Sequence, residues 1–371
     1  MPHDVKQAAD TVLNSMVNRA GGVPGVVAMA TDRQGNFYEG VAGKRSLGGE
    51  QPMTPDSVMA IFSTTKAMTG VCAMQLVEEG LLRLEDPAKQ YVPEIAELQV
   101  LDGFDDAGQP QTHAPSRDIT VNDLILHTSG LAYEFFSADD LKYRTAHGIP
   151  TVVSSTFASV RTVLQHDPGA AWTYGPSIDW LGMDSTAFTL TDSMRSRLAV
   201  LHDRAQDGKL TPLPDLILPQ PPEMDMGGHG MYSTVSDYMK FIRMFLNDGD
   251  GPYGRVLKAE TVEMMSGNGL PAGMTSGGWP TSIPSLANAG EFDPGIRKTW
   301  AYTFQRNEEP THTGRPAGSL MWAGLGNLFY WIDRRNGVGG FVGTQILPFL
   351  DVASYPGFVD FEAAVYRSLK S

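Results

Sequence analysis

The β-forming runs of this chain lie at its two ends. "VPGVVAMATDRQGNFYEGVAG", residues 23–43, reads as two strands joined at Asp32-Arg33-Gln34-Gly35-Asn36, and "GSLMWAGLGNLFYWIDRRNGVGGFVGTQIL", residues 318–347, as strands around Arg335-Asn336-Gly337. Val, Phe, Tyr and Trp suit a pleated surface, and Asn and Gly accept the backbone angles of a tight hairpin. A helix of about four turns is expected in "IFSTTKAMTGVCAMQLVEEGLLRLEDP", stopped by Gly80. Residues 87–225 are loop-rich with helical patches such as "TVNDLILHTSG", punctuated by Pro, Gly and Asp. Strands at both ends with a different middle predict one α/β lobe from residues 1–86 and 226–371, carrying 87–225 as an inserted second lobe. Val12, Leu13, Met16 and Val17 have helical spacing ahead of Gly21-Gly22, "SDYMKFIRMFLNDG" is an amphipathic helix ending at Gly249, and "FVDFEAAVYRSLK" closes the chain as a helix.

Charge narrows the partners. Among 371 residues, 42 are acidic and 28 basic, a net charge of −14 that repels phosphate backbones and anionic membrane surfaces. Nucleic acid and membrane are therefore not expected as partners. The N-terminus mixes acid and amide groups into its apolar pattern, unlike a signal peptide, and no apolar run approaches a membrane span, so a cytoplasmic location is expected. The single cysteine, Cys72, allows no internal disulfide and is read as a small core residue of its helix. The eight histidines are scattered without ligand spacing, so no metal or other cofactor is expected. His127 and His229 are read as structural hydrogen-bonders.

Ser63 and Lys66 are the residues that point to chemistry. Positions i and i+3 of a helix share a face, and Ser63 is the one serine here followed by lysine three residues on. A serine hydroxyl needs a base to take its proton, and lysine serves only when neutral. At an ordinary pKa of about 10.4, roughly one lysine in a few thousand is neutral at pH 7, so its surroundings must lower that value by roughly 2–3 units. The first turn of a helix helps, because its free N–H groups favour an oxyanion over a nearby ammonium. The plainer reading makes Ser63 a helix cap and Lys66 a solvated side chain. No G-x-S-x-G elbow, H-E-x-x-H, C-x-x-C or phosphate-binding glycine loop competes with the pair.

Four segments in order, "SVMAIFSTTKAMTGVCAMQLVEEGLLRLEDPAKQYVPE", "DLILHTSGLAY", "WTYGPSIDWLG" and "GGHGMYSTVSDYMKFIRMFLNDG", resemble the serine β-lactamase-like proteins. The resemblance is to class C β-lactamases and, more closely, to family VIII carboxylesterases and related acyltransferases, over most of the chain. It implies a β-lactamase/transpeptidase-like fold of α/β (α+β) class: an antiparallel sheet flanked by helices, with a mostly helical inserted lobe. It implies Ser63 as nucleophile, Lys66 as base and Tyr174 as a partner in proton transfer, with Ser177 completing the Y-x-N/S motif. Tyr133 matches a tyrosine that borders the nucleophile. Trp322-Ala323-Gly324 stands where β-lactamases carry K-T-G, and the Leu325 and Ser63 N–H groups would form the oxyanion hole. Trp322 in place of the lysine favours neutral acyl substrates. A second departure is at Gly182-Met183, where "DWLG" runs straight into "MDSTAF" as if a helix of the middle lobe had been shortened.

The expected function is a serine carboxylesterase acting on a small-molecule ester through an acyl-enzyme, with an optimum on the alkaline side. Tyr133, Phe135, Phe136, Trp322 and Gly324 are expected around a pocket for short to medium apolar acyl chains. Transfer of the acyl group to an alcohol, a penicillin-recognising activity, and a non-catalytic scaffold of the same fold are the alternatives.

Overall fold

The two end segments meet in one sheet. The computed structural model describes residues 3–181 and 188–370, so the shortened stretch at Gly182-Met183 lies outside the described residues. The elements that matter here are, in chain order, α1 (His3–Asn18), β1 (Gly25–Thr31), β2 (Asn36–Gly43), α2 (Thr65–Glu78), α3 (Val121–Leu126), α4 (Val235–Leu246), β3 (Lys298–Trp300), β4 (Gln305–Asn307), β5 (Leu320–Gly324), β6 (Leu328–Asp333), β7 (Val338–Gly343) and α5 (Ser354–Ser368). The strands order as β3-β4-β5-β6-β7-β1-β2, every neighbouring pair antiparallel. β1 joins the two ends, with Val27 opposite Gly343 and Thr31 opposite Gly339.

Local chemistry sets the turns. Asp32 Oδ1 accepts from the N–H groups of Gln34 (2.8 Å) and Gly35 (3.0 Å), and Asp333 Oδ1 accepts from Asn336 N–H (3.0 Å) ahead of Gly337 at φ +69°. The β6 run "LFYWID" is buried throughout because both sheet faces are covered. Phe329 and Trp331 meet Phe358 of α5 at 5.1 and 5.9 Å between ring centroids, whereas Tyr330 turns the other way to Tyr238 of α4 at 5.0 Å. Gly340 leaves room for this packing: a Cβ there would come within 2.3 Å of the Trp331 ring.

Two helices differ from the sequence reading. α5 starts at Ser354, and Gly357 inside it brings the backbone against Met16 of α1, where a Cβ would meet the Met16 sulfur at 2.4 Å. α2 ends as expected, Gly80 at φ +73° following its last turn, but Cys72 is half-buried rather than a core residue. The middle of the chain is a run of short helices and 3-10 turns with two small hairpins. One of these, residues 201–204 with 210–213, pairs in parallel with Ile346–Leu347 and so docks on the segment leaving the sheet. Among the described residues, no helix is long and apolar enough to cross a membrane.

Candidate active site

Ser63 sits on the 3-10 turn Phe62–Thr64 that feeds α2. The turn is held from both sides. Met59–Ala60 pairs with Tyr232–Ser233, Ile61 N–H donates to Met231 O at 2.9 Å, and Tyr238 Oη donates to Thr64 O at 2.9 Å. Phe62 has φ +44°, an unfavourable value for an aromatic residue that the surrounding bonds must enforce. Its neighbours in the turn are buried, and Ser63 alone is half-open. Gly324 of β5 closes against this turn: a Cβ on it would lie 2.4 Å from Ile61 O. That approach sets Ser63 and Leu325 on the wall of one pocket, where their N–H groups can serve one oxygen.

Lys66 is completely buried. Its Nζ lies 3.4 Å from Ser63 Oγ and donates to Tyr133 Oη at 2.8 Å and to Gly228 O at 2.8 Å. Burial pulls its pKa from 10.5 down to about 7, with the charge of Asp179 opposing the shift. A neutral amine has two N–H groups and one lone pair. The carbonyl and the Tyr133 oxygen use the two donors, which leaves the lone pair for the Ser63 proton. The environment that the sequence argument demanded is therefore present, supplied by desolvation rather than by a neighbouring cation.

Tyr174 faces the same point from the middle of the chain. Thr173 N–H donates to His127 O at 2.9 Å, and a Cβ on Gly175 would strike Leu131 O at 2.2 Å, so the segment lies hard against 127–131. Trp322 Nε1 donates to Tyr174 Oη at 3.0 Å. Burial drives the Tyr174 pKa well up, while hydrogen bonds with Ser63 and Trp322 work against it, so the hydroxyl keeps its proton at neutral pH. His127, the left-handed cap of α3 at φ 57°, lies with its ring 4.8 Å from that of Tyr174 and tilted 55° to it; burial first, then the Lys66 charge, keep it neutral. Burial thus moves the two groups in opposite directions, the Lys66 amine toward its neutral form and the Tyr174 hydroxyl toward keeping its proton.

Sequence reasoning missed Asp179. This carboxylate is fully buried, accepts from Gly228 N–H at 2.6 Å, and lies 3.5 Å from Tyr133 Oη and 3.4 Å from His229 Nδ1. Burial raises its pKa, yet His229, Lys66 and the Gly228 N–H outweigh that and hold it below the usual carboxylate value. The Gly228 peptide is thus gripped at both ends, its N–H by Asp179 and its C=O by Lys66. Only glycine fits there, since a Cβ would sit 2.4 Å from Asp179 Oδ2.

Other expected residues divide. Phe135, Phe136, Trp322 and Gly324 line the pocket with Ser63 and Tyr174, and Trp279 and Phe349, not foreseen, complete its aromatic wall. The pocket has about 320 Å³ of atom-free space, counting space open to solvent, and none of the described residues in its lining is charged. Tyr133 instead turns to Lys66. Ser177 stands a layer behind, its Oγ 2.9 Å from Ser129 Oγ and wholly buried.

Comparison with known proteins gives the family and the fold. The family model described as Beta-lactamase matches residues 7–177 and 178–356. The lovastatin esterase of Penicillium rubens is 30% identical, covering 91% of this chain and 93% of that protein. The monacolin J acid methylbutanoyltransferase of Aspergillus terreus is 26% identical over 93% of this chain and 92% of its own length. Among solved structures, a variant of simvastatin synthase (LovD) from Aspergillus terreus superposes with a TM-score of 0.86 at 25% identity, covering 100% of this chain and 98% of that one.

Proposed function

The chain belongs to the beta-lactamase family, and we propose that it is a serine carboxylesterase acting on neutral, apolar esters. Its relatives are named as an esterase and an acyltransferase, so both act on acyl groups, and Ser63 with Lys66 supports the same kind of chemistry here. The observation that carries the serine chemistry is Lys66, buried, without a contacting carboxylate among the described residues, and aimed at Ser63, and the apolar lining of the pocket beside it supports a neutral ester.

In this reading Ser63 Oγ gives its proton to Lys66 Nζ and attacks the acyl carbon. The N–H groups of Ser63 and Leu325 hold the oxyanion. As the bond to the alcohol breaks, Tyr174 passes its proton to the departing oxygen and regains one from the Lys66 ammonium. Water repeats the cycle on the acyl-serine, its proton going to Lys66, and releases the acid. Each proton-transfer group contributes roughly 10²–10⁴-fold. The lining without a cation supports an ester over a carboxylate-bearing β-lactam.

The test is hydrolysis of p-nitrophenyl butyrate by the wild type and Ser63→Ala, with nitrocefin alongside. Ester turnover lost in Ser63→Ala is expected, with slower or no nitrocefin turnover. A folded wild type inert to both would overturn the reading. The transferase relative gives a second reading substance. Product analysis with an added apolar alcohol separates the two, because a transferase yields the new ester faster than the free acid.

A further inference from the structure

A second apolar cavity lies behind the nucleophile turn. It has about 630 Å³ of atom-free space, counting space open to solvent, is larger than the pocket at Ser63, and shares Leu325 with that pocket. Phe62, next to Ser63 in the chain, lines it too, and Leu198, Leu201, Leu216, Leu218, Leu286 and Leu347 supply much of the remaining wall. The chain is tied to the nucleophile turn here: Ala199 N–H donates to Val58 O at 2.8 Å, just before the Met59–Ala60 strand.

The polar side chains in the lining are already engaged. Gln345 accepts from Ala60 N–H (3.1 Å) and donates to Ala60 O (3.1 Å) and Thr344 O (2.9 Å), and Tyr232 Oη accepts from Leu218 N–H (2.9 Å). Such a chamber offers a ligand surface to bury and few free hydrogen bonds, so it selects a hydrocarbon group.

Stereochemistry says which group. At a carbonyl carbon bonded to Ser63, the oxygen points to the Leu325 N–H, and the leaving oxygen must come within hydrogen-bond reach of Tyr174. Tyr174 belongs to the aromatic pocket, so that pocket receives the alcohol arm, although the sequence suggested it for the acyl chain. The acyl chain must leave on another side of that carbon, and Phe62, next to Ser63 in the chain, and the Leu325 side chain border the second cavity there.

We propose that the cavity behind Phe62 and Leu325 is the acyl-chain site, taking a medium-length hydrocarbon arm past the Leu325 side chain. The proposal rests on the esterase reading. Leu325, half-buried between the two spaces, acts as the partition that the chain displaces.

The experiment measures kcat/KM for p-nitrophenyl octanoate relative to p-nitrophenyl acetate. The ratio within each protein is the readout, in the wild type, Ala199→Leu and Leu218→Phe, with thermal melts to confirm folding. Filling the chamber is expected to lower the ratio at least about tenfold, in line with losing several methylene contacts. A ratio unchanged within twofold in both folded variants would overturn the proposal. Binding of the uncleavable N-phenyl octanamide to Ser63→Ala, with and without Ala199→Leu, reads the chamber without turnover. Chain-length-dependent binding in a protein that hydrolyses no ester would sink the esterase reading alone. Binding indifferent to Ala199→Leu would sink the chamber.

Discussion

Lys66 and Lys298 are both shut away from solvent, at 0% and 2% exposure, and their surroundings differ in one respect. Lys298 has a carboxylate: its Nζ lies 2.5 Å from Glu291 Oε1 and donates to Asp293 O at 2.9 Å. Lys66 has a carbonyl and a phenol, and the charge of Asp179 reaches it only from behind Tyr133 and the Gly228 peptide. An ion pair at contact offsets the desolvation of a buried ammonium; a charge one residue further back offsets only part of it. The same side chain in the same protein therefore stands against a carboxylate in one place and among neutral partners in the other.

The largest effect that can break this comparison is on activity. Lys66→Met is expected to lower kcat/KM by roughly 10²–10⁴-fold, the range for losing a general base. Lys298→Met should change it less than about threefold while lowering stability by about 1–3 kcal/mol, since it strands the Asp293 carbonyl. Steady-state kinetics and urea titration of both variants decide it. Equal activity losses would end the distinction.

Stability should move the opposite way at Lys66. Its folded pKa of about 7 lies below the ordinary 10.5, so between those values the unfolded chain holds a proton that the folded chain lacks. Wild-type stability then rises with pH from about 7 to about 10.5, and at pH 7 and below the buried lysine costs about 4–5 kcal/mol. Lys66→Met removes that cost but leaves Gly228 O without its donor, a loss of about 1–3 kcal/mol, while the Tyr133 hydroxyl keeps Asp179 Oδ2 at 3.5 Å. The variant should be more stable than wild type by about 1–4 kcal/mol at pH 7 and less stable than wild type by about 1–3 kcal/mol at pH 10.5. Urea midpoints across this window test the sign, and a gain that grows with pH would refute the assignment.

The rate should follow the same group. With Lys66 at about 7, kcat/KM should rise to half its plateau near pH 7 and stay high on the alkaline side. Asp179 opposes the downward shift of Lys66, so Asp179→Asn is expected to move the half-point to lower pH. Asn retains an oxygen for Gly228 N–H, so the plateau should fall no more than about tenfold, whereas Asp179→Ala should fall further. A half-point that stays in place in Asp179→Asn would make Asp179 a structural residue alone.

What the sequence made legible follows the range of each interaction. Ser63 and Lys66 are three residues apart on one helix, so the i, i+3 rule delivers their pairing, and the hairpins announce themselves through Asp32 and Asn336-Gly337. Asp179 acts through Gly228, 49 residues away, and nothing local marks a carboxylate that a distant peptide will grip. β3 and β4 went unread because three residues each, "KTW" and "QRN", are too short for alternation to show. Ser177 shows the converse error: the motif placed it at the site, but its hydroxyl is spent on Ser129.

Trp322 gives the finest test, because it touches the acid rather than the base. Its Nε1 donates to Tyr174 Oη at 3.0 Å, and its ring lies 4.8 Å from that of Tyr174, so one side chain supplies both a hydrogen bond and a packing surface. Trp322→Phe keeps most of the surface and removes the donor. A neutral hydrogen bond contributes about 1 kcal/mol, which corresponds to roughly a fivefold loss in kcat. The bond lowers the Tyr174 pKa, so its removal should raise that value and leave the limb near pH 7, which belongs to Lys66, where it was. An acid limb that moved with Trp322→Phe would mean that the two groups titrate as one coupled pair. Lys66 would then be a base because of Tyr174 as well as because of its burial, and the contrast with Lys298 would rest on a neighbour instead of on desolvation.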